Sequence, residues 1–305
     1  MMIFDQFQRY ETISRIISII KQEKDIQNLK ILEVGANAQK TLSQFISDEI
    51  FFTDIQEIKE LAEDDHFFVA DATNLENVKN DEYDIVIASD VFEHVPKQLR
   101  TDFLSEIYRV SKFGVIMCFP IGNEVTEQAE ISVNERNKEL FGENHRWLIE
   151  HIENGLPRLA DIEKFFTEKK IEYVKIEHGD IEVWEKFQKS SLNMIAIQQI
   201  PKLGKIDEIY NKYIYNSDIG VHNYRVFYFL NKGFDDKEKL EANILNCFEK
   251  KRNLDVYLNQ VGEIENSCII TQLAGMNNLV GQLVDIVVRQ NQLIIDIQAE
   301  MEKYK

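Results

Sequence analysis

Ile31-Leu-Glu-Val-Gly-Ala-Asn-Ala-Gln-Lys40 is the most informative segment of this sequence for its fold. Its apolar positions stop abruptly at Gly35 and a helical pattern follows, which predicts a buried strand, a tight turn and a helix over 39–47. Such a turn offers free backbone N–H groups and the positive end of a helix dipole to an anionic ligand group. A glycine at position 35 would let the backbone approach that ligand where a Cβ would collide.

Strands and helices alternate on both sides of this turn, which predicts parallel βαβ units in a doubly wound α/β sheet. Seven strands are predicted, at 30–34, 50–53, 66–70, 83–88, 114–119, 171–178 and 223–230. Helices are predicted at 5–24, 56–62, 97–110, 158–169, 180–199 and 204–215. Ligands of such sheets bind at the carboxyl ends of the strands, where carboxylates follow three of the first four strands.

We predict one α/β domain over residues 1–235 and a helical tail over 236–305, with Gly233 near the boundary. Residues 121–157 are rich in Glu, Asn, His and Trp, and we interpret them as an inserted loop over the site.

The tail carries apolar residues in alternating steps of four and three, with one polar interruption at Gln290. The series is Ile269, Leu273, Met276, Val280, Leu283, Val287, Gln290, Ile294, Ile297 and Met301. This heptad pattern predicts a coiled-coil helix over about 269–304, some 54 Å long, that forms a parallel homo-oligomer, either a dimer or a trimer. The alternative is a long helix packed on its own domain.

Composition excludes several classes of protein. A net charge of −18 argues against a nucleic-acid partner, because phosphate binders need a basic stripe. The sequence contains no run of 18 apolar residues, so we predict no membrane span. The first ten residues lack the pattern of a signal peptide. The three cysteines, Cys118, Cys247 and Cys268, are scattered and fit free thiols. We therefore expect a cytoplasmic protein, or one held at the inner face of the membrane through a partner.

Two carboxylates at strand ends indicate an adenosine site. Asp54 lies nineteen residues after Gly35, where a carboxylate can accept both ribose hydroxyls. Asp71 and Ala72 follow the third strand and could hold an adenine edge. The glycine turn does not have the G-x-G-x-x-G pattern of dinucleotide sites, and the sequence has no P-loop typical of nucleoside triphosphate sites. Both ligands are therefore less well supported than adenosine.

Four segments together resemble class I S-adenosylmethionine-dependent methyltransferases in their order and spacing over roughly residues 10–235. They are Leu32-Glu-Val-Gly-Ala-Asn37, Phe52-Thr-Asp-Ile55, Ala70-Asp-Ala-Thr-Asn74 and Tyr83-Asp-Ile-Val-Ile-Ala-Ser-Asp-Val-Phe-Glu-His-Val95. The resemblance implies a Rossmann-like methyltransferase fold with S-adenosylmethionine as cofactor and S-adenosylhomocysteine as product. The cofactor-binding residues that it implies are Glu33, Gly35, Asn37, Asp54, Ile55, Asp71, Ala72, Ser89 and Asp90.

A closer resemblance is to methyltransferases of bacterial polysaccharide (O-antigen or capsule) biosynthesis. It rests on Trp147-Leu-Ile-Glu-His151, Gly155-Leu-Pro157 and Tyr224-Arg-Val-Phe-Tyr228. It implies O-methylation of a sugar hydroxyl on a glycan or glycan-linked lipid, and a possible glycosyltransferase partner. The alternatives are a methyltransferase of a small molecule or protein, or a scaffold that recruits a glycan-assembly partner through its coiled coil.

Methyl transfer from a sulfonium needs close alignment, and a sugar hydroxyl is a poor nucleophile that a general base would help. His94, Asp90 and His145 are the predicted catalytic residues. His94 could instead orient its loop or pack under the cofactor. Trp147 could stack on a sugar ring or anchor the insertion. No His/carboxylate spacing indicates a metal site, so we predict no metal ligand.

Overall fold

The computed structural model describes residues 2–248 and 253–302. Its seven strands are β1 (Lys30–Val34), β2 (Glu49–Asp54), β3 (Phe67–Val69), β4 (Tyr83–Ser89), β5 (Ser111–Pro120), β6 (Glu172–Asp180) and β7 (Asn223–Asn231). They form one sheet in the order β3-β2-β1-β4-β5-β7-β6. Strand β7 runs antiparallel to β5 and β6, and the pairs β1–β2, β1–β4, β2–β3 and β4–β5 are parallel. The predicted seven-stranded, mostly parallel α/β sheet is therefore confirmed.

The helices are α1 (Phe4–Lys24), α2 (Arg100–Val110), α3 (Glu124–Phe141), α4 (Arg146–Asn154), α5 (Leu159–Lys169), α6 (Ile181–Ala196), α7 (Ile200–Ile209), α8 (Lys237–Leu245) and α9 (Asp255–Glu302). Apolar clusters on the two faces of the sheet contain α1 on one side and α2 and α5 on the other. The central strands β4 and β5 are buried along almost their whole length because both faces are covered. A third cluster joins α3, α6, α7 and the start of α9.

The prediction of a helix over 39–47 is wrong. The chain forms only a short 3₁₀ turn, Thr41–Gln44, and the predicted helix over 56–62 is likewise a 3₁₀ turn at Lys59–Leu61. The Asn37 side chain accepts hydrogen bonds from the backbone N–H and the hydroxyl of Thr41, and such local bonds compete with a helix. No α-helix therefore follows the glycine turn, and the helix-dipole part of the prediction fails with it.

The insertion is helical, which corrects the predicted loop over 121–157. Asn123 caps α3 by accepting a hydrogen bond from the backbone N–H of Thr126, and Gly142 ends the helix at a φ of 80°. Ala129 and Val133 of α3 are buried in the third cluster. Helices α3 and α4 therefore form a packed wall over the carboxyl ends of the strands.

The tail helix begins within the globular part of the molecule. Val261 and Cys268 of α9 are buried in the cluster that contains α6 and α7. From Ile269 to Leu293 the large apolar side chains are 42% to 66% exposed, and side chains beyond Leu293 lie outside the described part. The predicted coiled-coil segment is thus helical as far as Glu302, and the rest of the predicted segment, 303–304, lies outside the described residues. No described helix is long and apolar enough to cross a membrane.

Candidate active site

A cavity of about 910 Å³ lies at the carboxyl ends of β1, β2 and β4, between the sheet and helices α1, α3, α4 and α6. Eight of the eleven predicted site residues line it. These are Gly35, Asn37, Asp54, Ile55, Ser89, Asp90, His94 and His145. Glu33, Asp71 and Ala72 are not among its lining residues. The cavity thus joins the predicted cofactor end and the predicted catalytic end.

Gly35 has a φ of 74°, and a Cβ at this position would lie 2.1 Å from Cγ2 of Val91. Both the backbone conformation and the packing therefore require glycine. The N–H groups of Gly35 and Ala36 both donate to the carbonyl of Thr53, at 2.9 and 3.1 Å. The prediction that the turn offers free N–H groups is wrong for these two residues, because they continue the pairing of β1 with β2.

Glu33 lies beneath this turn and is almost fully buried. Its Oε1 accepts a hydrogen bond of 2.7 Å from the Tyr10 hydroxyl, and Tyr10 itself lines the cavity. Burial raises the pKa of Glu33 to about 7, although the bond from Tyr10 and the charge of Arg9 act in the opposite direction. Glu33 therefore holds Tyr10 of α1 in the cavity lining. Tyr10 is a lining residue that the sequence analysis did not identify.

The predicted ribose-binding residues line the cavity, whereas the predicted adenine-binding residues do not. Asp54 and Ile55 line the cavity; Asp54 Oδ1 accepts the Gln56 N–H at 2.9 Å, and the Ile55 side chain is 64% exposed. Asp71 is exposed, and its Oδ1 accepts hydrogen bonds from the N–H and hydroxyl of Thr73. Asp71 follows the three-residue edge strand β3, which leaves it beyond the cavity wall.

Asp90 is held by two arginines that sequence reasoning did not assign to the site. Arg225 of β7 contacts both carboxylate oxygens, at 2.9 and 2.6 Å, and Arg9 of α1 lies 3.3 Å from Oδ2. Burial alone would raise the pKa of Asp90, but the two guanidinium groups outweigh it and hold that pKa below its ordinary value. This environment argues against the predicted role of Asp90 as general base, because a carboxylate so paired is a weak proton acceptor.

The other predicted bases, His94 and His145, share the cavity wall with Trp147. Trp147 is 49% exposed and packs edge-on to His94 at 5.3 Å between ring centroids, so it is no buried anchor of the insertion. Burial lowers the pKa of both histidines, and the nearby His151 lowers it further. Both rings are therefore neutral near pH 7 and able to accept a proton.

His151 joins Glu93 and His94 at the same wall. One nitrogen or carboxylate oxygen of each of these three residues lies within 4.8 Å of the other two. The spacing rules missed this cluster because His151 belongs to α4 while the other two follow β4 directly. The prediction of no metal ligand rested on sequence spacing alone, which does not show residues that the fold brings together from distant segments.

The family profile described as "Methyltransferase domain" matches residues 33–119 of this chain. That range runs from Glu33 at the end of β1 to Phe119 near the end of β5. It includes the glycine turn, Asp54 and the segment Asp90–His94. No curated protein matches the chain.

Several solved structures are similar. A putative methyltransferase from Bacillus halodurans is 16% identical, with 72% of this chain and 99% of that chain covered and a TM-score of 0.37. Magnesium protoporphyrin IX methyltransferase from Synechocystis with bound S-adenosylhomocysteine is 13% identical, covers 74% and 84%, and has a TM-score of 0.41. Phosphoethanolamine N-methyltransferase 2 from Haemonchus contortus is 16% identical, covers 71% and 52%, and has a TM-score of 0.40.

The strand order with an antiparallel β7, the strand-end cavity and the profile match define the class of this protein. It is an S-adenosylmethionine-dependent methyltransferase whose sheet has the strand order of the class I methyltransferase fold. The enzyme uses S-adenosylmethionine as methyl donor and releases S-adenosylhomocysteine.

Proposed function

We propose that this methyltransferase transfers a methyl group to a sugar hydroxyl during bacterial glycan biosynthesis. The observation that carries the proposal is the exposed Trp147, which lines the cavity together with His94 and His145 and packs against His94. An aromatic face beside hydrogen-bonding groups suits a sugar ring, whose two faces are apolar and whose rim carries hydroxyls. The same polar wall is consistent with a hydroxyl acceptor on a free glycan or on a glycan-linked lipid.

The cofactor would lie along the strand ends. The Asp54 carboxylate would accept the ribose hydroxyls, and the Ile55 side chain would cover one face of the adenine. Arg9 also lines the cavity, where it pairs with Asp5 at 3.2 Å and with Asp90 at 3.3 Å. Asp71 and Ala72 would contact adenine only where the base extends past the cavity wall.

Catalysis would be an in-line displacement. The acceptor oxygen attacks the methyl carbon while the bond from that carbon to sulfur breaks, and a neutral histidine of the wall takes the hydroxyl proton. Asp90 and its two arginines would hold the floor beneath the methyl group. This division of roles follows from the lowered pKa of Asp90 and the neutral state of His94 and His145.

The tail would assemble the enzyme. The apolar residues between Ile269 and Leu293 remain about half exposed in the single chain, which leaves a long apolar face to cover. We propose that a second or third copy covers it in a parallel coiled coil. A glycosyltransferase partner on the same face, with the methyltransferase acting as a scaffold, is the alternative that this exposed face supports.

The test is methyl transfer from labelled S-adenosylmethionine to a panel of oligosaccharides, with a small-molecule and a peptide panel beside it. Trp147→Ala should raise KM for an oligosaccharide acceptor at least tenfold and leave S-adenosylhomocysteine affinity unchanged, whereas Trp147→Phe should retain most of the activity. Ile152→Ala is the matched control, because Ile152 is exposed on the same helix but does not line the cavity. Transfer to the other panels alone would refute the sugar acceptor.

A further inference from the structure

Glu93 and His151 carry buried polar atoms that the fold leaves unpaired. The two residues are 1% and 6% exposed, and neither Glu93 Oε2 nor His151 Nε2 has a hydrogen-bond partner within the described residues. Buried polar atoms are normally paired, so these two unpaired atoms require an explanation. With His94 they offer three ligand atoms within 4.8 Å of one another. We propose that Glu93, His94 and His151 bind a divalent transition-metal ion such as Zn²⁺ or Mn²⁺.

The surroundings of His151 match those of a metal-bound histidine. Its Nδ1 lies 2.8 Å from Oε1 of Glu130, which also accepts a 2.8 Å hydrogen bond from the Tyr224 hydroxyl. A carboxylate on one ring nitrogen holds the imidazole in the orientation that frees the other nitrogen for a metal. His94 Nδ1 lies 3.1 Å from Glu150 Oε2 but makes no hydrogen bond within the described residues.

The three proposed ligands come from two neighbouring elements. Zinc–nitrogen and zinc–oxygen bonds of about 2.1 Å place ligand atoms roughly 3.3 Å apart in a tetrahedral site. Glu93 and His94 share the 3₁₀ turn Phe92–His94, and His151 faces them from α4 at 5.0 Å between the two imidazole centroids. The proposed site therefore requires the ligand atoms to move closer, from within 4.8 Å to roughly 3.3 Å of one another. Two imidazoles and one carboxylate favour a transition metal over Mg²⁺ or Ca²⁺, which prefer oxygen ligands.

Charge at the site also favours a cation. Arg9 and Arg225 are already paired with Asp5 and Asp90. Their positive charges are thus matched within the floor of the cavity. Of the carboxylates around the cluster, Glu150 is also paired, with Arg146 at 3.2 Å, which leaves Glu93 and Glu130 to balance the charge of an ion.

The role of the ion rests on the function proposed above. The cluster stands beside Trp147, so the ion would bind the acceptor hydroxyl and lower its pKa. The hydroxyl proton would pass to the His145 imidazole, the oxygen would form its bond to the methyl carbon, and the carbon–sulfur bond would break to release S-adenosylhomocysteine. In this arrangement His94 is a metal ligand and His145 alone accepts the proton.

The experiment is metal binding by the full-length protein after dialysis against a chelator. Titration calorimetry with Zn²⁺ and with Mn²⁺ should show one ion per chain, and mass spectrometry of the repleted protein should give the same ratio. Glu93→Gln and His151→Gln should each weaken binding at least tenfold, and Glu130→Gln should weaken it through His151. His145→Gln is the matched control, a histidine of the same wall outside the cluster, and should bind the ion as the parent does.

Affinity for S-adenosylhomocysteine, measured on every variant, separates this inference from the proposed function. Cofactor binding without metal binding by the parent protein would overturn the metal site and leave the methyltransferase mechanism in place. Equal metal affinity in the parent, Glu93→Gln and His151→Gln would also overturn the proposed site, because the ion would then bind elsewhere on the chain. Metal binding that follows the cluster, with no transfer to any oligosaccharide, would support the site and reject the sugar acceptor.

Discussion

Substitution of Gly35 by alanine tests whether the glycine turn shapes the cofactor cavity. The new Cβ would lie 2.1 Å from Val91 Cγ2, in a backbone with a φ of 74°. The backbone cannot move away freely, because the N–H of Gly35 donates to the Thr53 carbonyl at 2.9 Å. A left-handed alanine costs about 1–2 kcal/mol and overpacking about 1–3 kcal/mol more. We expect the free energy of unfolding to fall by roughly 2–5 kcal/mol.

The double variant Gly35→Ala/Val91→Ala separates the two contributions. Removal of the Val91 methyl groups relieves the collision but not the backbone strain, so the pair should recover the overpacking part of the loss, about 1–3 kcal/mol. Urea unfolding measures stability, and titration with S-adenosylhomocysteine measures the cavity, where we expect affinity to fall at least tenfold in the single variant. If losses of stability simply add in the double variant, the contact with Val91 is not the cause and the reasoning fails.

Three further predictions follow from other parts of the molecule. Asp54→Ala should weaken S-adenosylmethionine binding at least tenfold in calorimetry, whereas Asp71→Ala, beyond the cavity wall, should change it far less; equal effects would contradict the ribose assignment. Deletion of residues 270–305 should give a monomer by light scattering and leave the melting temperature in thermal unfolding unchanged. Deletion of residues 262–305 should also lower the melting temperature, because it uncovers the third cluster. An oligomer after either deletion would show that the core itself associates. His178 is buried and its pKa is lowered to about 3, mainly by burial and also by the charges of two nearby arginines. Its folded pKa lies below the unfolded value of about 6.5, so stability falls by up to about 1.4 kcal/mol per pH unit as pH drops from 6.5 towards 3. His178→Gln should flatten this slope in urea unfolding, and an unchanged slope would assign it to other groups.

Much of the sheet could be predicted because strand formation leaves a local signal. The first strand, 30–34, coincides with β1, and the strand at 83–88 falls one residue short of β4. Buried parallel strands are nearly continuous apolar runs, and an aspartate at the end of such a run is visible without any partner. The short turn at Thr41–Gln44 was not foreseen, because a side-chain bond from Asn37 rather than helix propensity decides it.

The candidate site could be predicted only in part. The strand-end residues Asp54, Ser89 and Asp90 do line the cavity, since parallel strands bring their carboxyl ends to one edge. The sequence did not show that Arg225 would neutralise Asp90. These residues are brought together by the pairing of β7 with β5 and of β5 with β4, and that register is a property of the whole sheet.

Local patterns in the sequence were sufficient to predict the class of the fold, the glycine turn, the strand-end carboxylates and the heptad pattern of the tail. Each of these depends on neighbours within a strand or a few turns of helix, so local spacing carries the information. The charges that meet at Asp90, and the approach of His151 to Glu93 and His94, became visible in the folded structure alone. The folded structure also shows where the tail leaves the core, after Cys268. These contacts join distant segments through packing, and spacing along the chain does not encode the angle at which α1 and α4 lie against the sheet.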